Sequence, residues 1–468
     1  MIPIIKTTKC VTTLGPASSS AEVIQQLVEN GSTCARINFS HGTHDEHLAR
    51  IKTIREVAAK LNAPIAIMLD TRGPEVRTHT FKGGSAQIKK NDVITIIDNE
   101  EIIGTAEKFS VNYANLSKDM KVNDNLLVDD GKLTLKVITI KGHVITCQAL
   151  NTHTIKDRRA INIPNVKLSL PFISDKDKAD LIFGCQQQVD FVAASFVCSK
   201  ADILAIRKVL DDNGGKHIQI IAKIESQLAV NNFDEILEVS DSIMVARGDL
   251  GVEIPFEKVP FLERQWIQKC WDVNKTVIVA TQMLDSMVDN PHPTRAEVTD
   301  VWVAVDWGST CTMLSGESAN GNYPVLAIAT MSKIIVDAES HQPVSKIANE
   351  LLTSKDTLVA KTIKTIIDEK PQFLITNSQD SKFLTTIANA HLPVYIIPIS
   401  NNVIDYNKFA LNSGIYAYYD QKGATIDLNN TLQIQEAISS TYTIPTKANI
   451  LVIDINNSTK PFSSFTAK

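Results

Sequence analysis

The chain has 468 residues, 44% of them hydrophobic and 21% charged, and its formal net charge is −5, a composition typical of globular proteins and not of a dedicated nucleic-acid binder. The first residues hold too short an apolar run for a signal peptide, and no stretch reaches the ~18 apolar residues of a membrane span, so we expect a cytoplasmic protein with no membrane partner. The seven cysteines form no CxxC pair, which fits reduced thiols.

Eight short runs rich in Val, Ile, Ala and Thr lie between residues 7 and 317, and segments with helical apolar spacing separate them. The runs occupy residues 7–14, 33–40, 65–71, 190–197, 218–225, 242–249, 276–283 and 311–317. Strands that alternate with helices build a parallel sheet, and eight such units close into a barrel. The pattern therefore predicts an α/β protein with a (β/α)₈ TIM barrel.

Helix signals between the strands support this prediction. Residues 18–31, 43–61 and 199–213 each carry apolar side chains at helical spacing. Thr294 and Glu297 have the spacing of a capping box before a later helix.

Two further modules interrupt and follow the barrel. Residues 74–169 hold alternating runs with a hairpin turn at Lys141-Gly142, which predicts an inserted small β-barrel domain that could act as a lid over the barrel mouth. From residue 346, strand and helix candidates alternate again, which predicts a C-terminal α/β domain with a mainly parallel sheet. The expected division is 1–73 and 170–345 for the barrel, 74–169 for the insert and 346–468 for the C-terminal domain.

Polar residues end most of the strand candidates. They are Ser40, Asp70, Glu225, Asp249 and Glu317. Because catalysis in such a barrel takes place at the C-terminal ends of the strands, these positions predict an active site. Alternation adds that Arg36 and Asn38 share the face of Ser40, and that Lys223 shares the face of Glu225. Helices cover the other face, so we expect the polar side chains to point into the barrel mouth, since buried Lys and Glu are costly unless paired or ligating.

Glu225 and Asp249 end consecutive strands, and two carboxylates on a barrel rim suit a hard divalent cation such as Mg²⁺. Lys223 favours this interpretation over two unrelated solvent-facing carboxylates, because a cation beside a metal suits a phosphoryl group in transit. The chain has no Walker loop, GxGxxG or HRD signature, so the barrel loops would have to bind any nucleotide. The His-rich stretch 41–47 is interpreted as a solvated first helical turn and not as a metal site.

At these residues the chain resembles the pyruvate kinases. The matching stretches are RINFSHG (36–42), MLDTRGPEVRT (68–78), VDDG (128–131), DFVAASF (190–196), AKIES (222–226), MVARGDLGVEIP (244–255), ATQMLDSM (280–287), PTRAEVTDV (293–301) and MLSGESANGNYP (313–324). They cover both barrel segments in the family's order, with the insertion in the family's place. The resemblance implies transfer of the phosphoryl group of phosphoenolpyruvate to ADP, giving ATP and pyruvate. It also implies a homotetramer that is regulated allosterically and could bind a small phosphorylated effector.

The resemblance also implies roles for individual residues. Lys223 would stabilise the phosphoryl group in flight, Arg36 would contact the phosphate, and Thr281 would help to deliver the proton that converts enolate into pyruvate. The backbone amides of Gly248 and Asp249 would receive the substrate carboxylate. The metal ligands would be Glu225 and Asp249 for Mg²⁺ (or Mn²⁺), and Asn38, Ser40, Asp70 and Thr71 for K⁺. The nucleotide contacts would be Asn38, Phe39, Ser40, His41, Arg77 and Arg159.

The chain departs from the family pattern in three places. Cys198-Ser199 stands in place of an Arg-Lys pair, and Arg159-Ala160 in place of a lid lysine and glycine. The largest departure lies within residues 302–312. The differing residues there are Trp302, Val303, Asp306, Trp307, Thr310, Cys311 and Thr312. We expect structural compensation at a helix–barrel or subunit contact, because no charged ligand is lost.

Two other functions fit part of the sequence. Another Mg²⁺-dependent barrel enzyme acting on pyruvate or phosphoenolpyruvate, such as an aldolase-type lyase, would need neither the K⁺ residues nor the β-rich insertion. A catalytically weakened regulatory paralogue would account for residues 302–312, but the intact charged set opposes it.

Activation by fructose 1,6-bisphosphate is expected to be weak or absent. Loop 376–382 offers hydroxyls and Lys382 for a sugar phosphate, but Asp380 adds negative charge where a phosphate would bind. The C-terminal loop within residues 456–465 lacks the glycines usual in responsive family members.

Overall fold

The computed structural model describes residues 2–342, 346–402, 406–420, 426–457 and 459–467. All eight strands expected from the sequence form, and they close into one parallel barrel in which the third strand pairs with the fourth across the insertion. In chain order they are Lys9–Thr13, Cys34–Asn38, Ala66–Asp70, Phe191–Ala194, Gln219–Ile224, Ser242–Ala246, Thr276–Ala280 and Cys311–Leu314. The prediction of a TIM barrel is confirmed.

Helices cover the outside of the barrel. They are Ala21–Glu29, His44–Leu61, Asp175–Gln186, Lys200–Asp212, Gln227–Asn231, Phe233–Val239, Arg247–Glu253, Val259–Asp272, Arg295–Asp306, Gly316–Ala319 and Pro324–Ser340. Thr294 begins one of them with the predicted capping box, in which its hydroxyl accepts the Glu297 N–H and the Glu297 carboxylate accepts the Thr294 N–H. Across the described ranges, every helix is too short or too polar to cross a bilayer.

Alternate residues of each barrel strand face two separate apolar cores. Cys34 and Ile221 belong to the cluster inside the barrel, whereas Ile220 belongs to the cluster between strands and helices. Arg36 and Lys223 share the parity of the inward residues, so they point into the barrel as the alternation predicted.

The insertion lies between the third and fourth barrel strands and surrounds its own core. The expected small β-barrel takes the form of two sheets, of seven and two strands. The larger sheet runs, in spatial order, through Val76–Arg77, Ala160–Asn162, Asn125–Val128, Leu133–Lys141, Val144–Ala149, Val93–Ile97 and Lys108–Ser110. The smaller sheet pairs Ser85–Ile88 with His153–Lys156, and one short helix spans Leu116–Asp119. The expected hairpin forms, since its two strands pair antiparallel across a turn in which Gly142 has φ 57°.

The C-terminal segment contains a five-stranded sheet that is parallel except for its last strand. Its strands, in spatial order, are Tyr418–Tyr419, Tyr395–Ser400, Phe373–Thr376, Asn449–Ile453 and Phe462–Thr466. Among the residues that the structure describes, its helices include Lys346–Leu351, Thr357–Glu369, Ser381–Ala388 and Thr431–Ser439. The expected mainly parallel sheet is confirmed. The loop prediction for 456–465 is wrong in its second half, because the antiparallel edge strand begins at Phe462.

C-terminal residues also close the base of the barrel. Ala410 and Leu411 belong to the apolar cluster inside the barrel, and the Thr33 hydroxyl donates to the Ala410 carbonyl at 2.7 Å. A second contact involves the N-terminus, where strand Ile2–Pro3 pairs in parallel with Tyr442–Thr443 of the C-terminal segment. The barrel and the C-terminal sheet therefore share buried surface.

Most of the departing residues at 302–312 lie in packed positions. The Thr310 hydroxyl accepts the Val277 N–H and donates to the Val277 carbonyl, both at 2.9 Å, and so joins the last two barrel strands. Trp302 and Trp307 are half-buried against the outer core, and the Trp302 indole N–H donates to Asp337 at 3.1 Å. These contacts support structural compensation at a helix–barrel contact, and they leave Trp302 only half-buried.

We expect Trp302→Ala to destabilise the fold by about 1–2 kcal/mol, less than the ~3–5 kcal/mol typical of a fully buried aromatic, because the indole is only half-buried. Thermal melting and size-exclusion chromatography would measure the loss, and turnover per folded molecule should be retained. An unchanged melt and assembly with lost turnover would instead place this segment in the catalytic machinery.

Candidate active site

Charged side chains from the second, third and fifth strands form one buried network inside the barrel mouth. Lys223 Nζ lies 3.1 Å from Asp70 Oδ1 and 3.0 Å from Glu225 Oε1, and it donates to Ser195 Oγ at 2.7 Å. Arg36 Nε donates to the other oxygen of Asp70 at 2.6 Å. The side chains of Lys223 and Asp70 are 10% and 1% exposed, so these contacts are shielded from water.

The network fixes the ionisation of its members. Burial alone would lower the pKa of Lys223, but Asp70 and Glu225 together raise it above its usual value. Burial alone would raise the pKa of Asp70, but Arg36 and Lys223 together lower it below its usual value. Lys223 is therefore held as a cation at the rim, where a phosphoryl group could approach it.

Glu225 and Asp249 lie close enough at this rim for the charge of Asp249 to act on Glu225. Burial raises the pKa of Glu225 to about 7, with Lys223 opposing the shift and Asp249 adding to it. Burial also raises the pKa of Asp249, again against Lys223 and with a contribution from Asp130 of the insert. Two buried carboxylates that are reluctant to ionise together fit a site for a divalent cation, whose charge would offset their repulsion.

The protein donors available to such a cation are few. Within the described ranges, no group of three or more His, Cys, Asp or Glu side chains is arranged to hold a metal ion. A pair of carboxylates is nevertheless the usual protein share of a Mg²⁺ site that substrate phosphate and water complete.

The four oxygen-bearing residues expected at a K⁺ site lie at neighbouring strand ends. Asn38 and Asp70 are opposite each other in the register of the second and third strands. Asn38 Oδ1 accepts the Ser40 N–H at 3.0 Å, and Thr71 Oγ1 accepts the Ser195 N–H at 3.1 Å. The fold therefore brings the four residues to one edge of the barrel.

The residues expected at the substrate carboxylate are joined to each other. The Gly248 N–H donates to Thr281 Oγ1 at 2.7 Å, and that hydroxyl donates to the Ala280 carbonyl at 2.6 Å. The Gly248 amide, expected to be open to substrate, is thus engaged by the residue expected to deliver a proton.

The expected nucleotide residues fall into two groups. Phe39, Ser40 and His41 follow the second strand directly, whereas Arg77 and Arg159 are engaged within the insert. Arg77 Nε donates to Glu75 at 2.7 Å, and Arg159 Nε lies 3.6 Å from Asp129.

The insert meets the barrel beside this site. Asn162 Nδ2 of the insert donates to Glu253 of the barrel at 3.0 Å. A cavity of about 420 Å³ lies between the two, with Asp249, Phe196 and Glu75 among its lining residues. This placement is the one a lid would have.

One sequence interpretation fails, and another holds except at one residue. Glu317 does not belong to the site, because its carboxylate accepts the backbone N–H groups of Leu284 and Ser315 and so fixes two loops. The 41–47 stretch forms a largely exposed first helical turn, as expected, except that His47 is buried and its ring stacks on Phe39 at 3.9 Å.

Sequence reasoning missed two residues of the site. Ser195 contacts Lys223, and the parity of Phe191 and Ala193, which belong to the inner core, would have found it. Arg247 donates to the Thr281 carbonyl at 2.9 Å, and no spacing rule indicates that contact.

Comparisons with known proteins agree on one family. Residues 5–328 match the family model described as the pyruvate kinase barrel domain. The chain is 42% identical over 441 residues to a pyruvate kinase of Clostridium acetobutylicum, a match that covers 93% of each chain. It is 41% identical to a pyruvate kinase of Bacillus licheniformis over 93% of this chain and 76% of that one. The fold matches the crystal structure of a pyruvate kinase from Cryptosporidium parvum with a TM-score of 0.86 at 32% identity, covering 99% of this chain and 96% of the other.

Proposed function

Because the chain belongs to the pyruvate kinase family and transfers the phosphoryl group of phosphoenolpyruvate to ADP, we propose how its own residues divide that work. The observation that carries the proposal is Lys223, buried at the rim and held charged between Asp70 and Glu225. Its ammonium stabilises the charge on the phosphoryl group in flight, and Arg36 beside it binds the phosphate.

Glu225 and Asp249 hold the divalent cation, Mg²⁺ or Mn²⁺. When bound, the cation supplies positive charge that neutralises phosphate oxygens during transfer. The two carboxylates fit this task, because burial raises both pKa values and a bound cation would offset the cost of their negative charges.

The substrate carboxylate binds the amides of Gly248 and Asp249. Since Thr281 Oγ1 accepts the Gly248 N–H in the structure, the carboxylate takes over as the acceptor and releases the hydroxyl. The released Thr281 hydroxyl then helps to deliver a proton to the enolate, through water where the distance requires it.

Asn38, Ser40, Asp70 and Thr71 form the K⁺ site, because oxygen donors with a single carboxylate suit a monovalent cation. We therefore expect turnover to require K⁺. Initial rates in K⁺ buffer would be compared with rates in buffer whose only monovalent cation is tetramethylammonium, which is too bulky for the site. Full activity without K⁺ and Na⁺ would contradict the assignment.

ADP binds through Asn38, Phe39, Ser40, His41, Arg77 and Arg159. Arg77 and Arg159 come from the insert, so the insert acts as the lid of the nucleotide site.

The division into barrel (1–73 and 170–345), insert (74–169) and C-terminal regulatory domain (346–468) is also part of this proposal. So is assembly into a cytoplasmic homotetramer. Light scattering of the purified protein would test the oligomeric state.

Fructose 1,6-bisphosphate should activate weakly or not at all. Asp380 is the N-cap of helix Ser381–Ala388, where its carboxylate accepts the Lys382 N–H at 2.9 Å, so an amide that could meet a phosphate is already paired with an anion. Half-saturating phosphoenolpyruvate would be measured with and without the bisphosphate. A fall of about tenfold or more, which corresponds to ~1.4 kcal/mol of coupling, would overturn the expectation.

One assay tests the function as a whole. ADP-dependent formation of pyruvate from phosphoenolpyruvate, with and without Mg²⁺, should be observed only when all components are present. A lyase would form pyruvate without ADP, and a weakened paralogue would form little under any condition. The match to the pyruvate kinase barrel model argues against a lyase, and the intact charged set argues against a weakened paralogue.

A further inference from the structure

The turn that follows the seventh barrel strand has a strained backbone. Thr281 and Gln282 have φ angles of 68° and 55°, in the left-handed region that β-branched and other non-glycine residues rarely adopt. Such conformations persist only where the surrounding structure holds them, and they cluster at functional sites.

Arg247 holds this turn from both sides. Its Nε donates to the Ala280 carbonyl at 3.4 Å, and its Nη2 donates to the Thr281 carbonyl at 2.9 Å. The peptide groups before and after Thr281 are therefore tied to one guanidinium. Because the Thr281 hydroxyl itself donates to Ala280, the same contacts set the direction of that hydroxyl.

Two acidic residues from outer helices fix the guanidinium in turn. Asp300 accepts from Nη1 and Nη2 at 2.6 and 2.7 Å, and Glu263 lies 3.5 Å from Nη1. The Arg247 side chain is 12% exposed. A planar fork can hold two carbonyls and a bidentate carboxylate at once, which the ammonium of a lysine cannot do.

We propose that Arg247 is a positioning residue that orients Thr281 for the protonation half of the reaction. The proposal rests on the role assigned above to Thr281. After phosphoryl transfer the enolate of pyruvate remains. Its C2–C3 electron pair takes a proton onto C3, the O–H bond of the proton donor breaks, and the C2–O bond becomes a carbonyl. Arg247 contacts the seventh strand and outer helices, whereas Lys223 and Asp70 belong to the fifth and third strands, so its loss should affect protonation more than phosphoryl transfer.

Arg247→Lys tests this inference with two separate rates. One is ATP formation from phosphoenolpyruvate and ADP. The other is exchange of the pyruvate methyl hydrogens with D₂O, followed by proton NMR in the presence of ATP, Mg²⁺ and K⁺, which requires proton transfer but no phosphoryl transfer. We expect exchange to fall about tenfold more than ATP formation, within the range for a misplaced acid–base group.

Two further variants complete the design. Asp300→Asn keeps the arginine but removes a charge that anchors it. Like Arg247→Lys, it should lower exchange more than ATP formation. It also replaces Arg247→Lys as the test if that variant does not fold. Arg264→Met removes an exposed arginine from the neighbouring helix, and both rates should stay within about twofold of the parent.

A double substitution shows whether Arg247 acts through Thr281. In a Thr281→Ala background, Arg247→Lys should change exchange by no more than about twofold, because the group that it orients is gone. A full effect in that background, or an equal fall of both rates in Arg247→Lys and Asp300→Asn, would refute the proposal. Unchanged exchange in Thr281→Ala alone would refute the role of Thr281 and this inference with it, while ATP formation by the parent would still stand.

Discussion

Lys223→Met should lower turnover by at least about 10²–10³-fold while the protein stays folded, since this is the usual loss for one preorganised charge at a transition state. Methionine keeps the length and apolar contacts of the lysine stem but removes the ammonium that lies between Asp70 and Glu225. Turnover would be measured at saturating phosphoenolpyruvate, ADP and Mg²⁺, so that the loss reports the chemical step and not binding.

The same substitution leaves two buried carboxylates with one cation fewer, and removing one partner of a buried ion pair costs about 3–5 kcal/mol. Circular dichroism and thermal melting must therefore establish the folded fraction, and turnover is counted per folded molecule. Lys216→Met, the same change at an exposed lysine, should leave turnover unchanged. Turnover of Lys223→Met within about threefold of the parent, the range of a neutral surface change, would rule out the assigned role.

Glu225→Gln should raise the half-saturating Mg²⁺ concentration more than the KM for ADP. The amide removes the negative charge from one of only two protein carboxylates at the proposed site, and hard cations bind charged oxygens best. Mg²⁺ titrations at fixed ADP, paired with ADP titrations at saturating Mg²⁺, would separate the two effects.

The matched control is Glu257→Gln, the same change at an exposed position after helix Arg247–Glu253. Its Mg²⁺ titration should overlay that of the parent. If the Glu225→Gln titration also overlaid the parent, Glu225 would not be a ligand, and its role would be to pair with Lys223 and to accept the Phe196 N–H.

The barrel and its inward-facing residues could be read from the sequence because both faces of each strand are buried. That burial makes alternation informative, because Ile220 and Ile221 belong to different cores. Lys223 lies two residues after Ile221 and therefore faces the inside of the barrel as Ile221 does. Where the apolar signal is weak, prediction fails. Strand Phe462–Thr466 has the sequence FSSFT and lies largely exposed at a sheet edge, so it carries little of the pattern that marks a buried strand.

The parts of the site that escaped prediction depend on contacts between loops. The bond from Gly248 to Thr281 requires a left-handed turn in a threonine, a residue type that does not favour one. The burial of His47 was missed for a related reason, because a histidine beside a charged first turn gives no sign that the ring of Phe39, directly after the preceding strand, covers it.

The contacts at the base of the barrel constrain the order in which the chain can fold as it is synthesised. Strand eight ends at Leu314, yet Ala410 and Leu411, which fill the barrel from below, leave the ribosome nearly a hundred residues later, and the partner of Ile2–Pro3 at Tyr442–Thr443 later still. Until then the nascent barrel has an open base exposed to water. Ribosome-bound chains stopped near residue 345 should therefore be cleaved by protease at barrel sites that are protected in full-length chains. Equal protection would show that the barrel closes without Ala410 and Leu411.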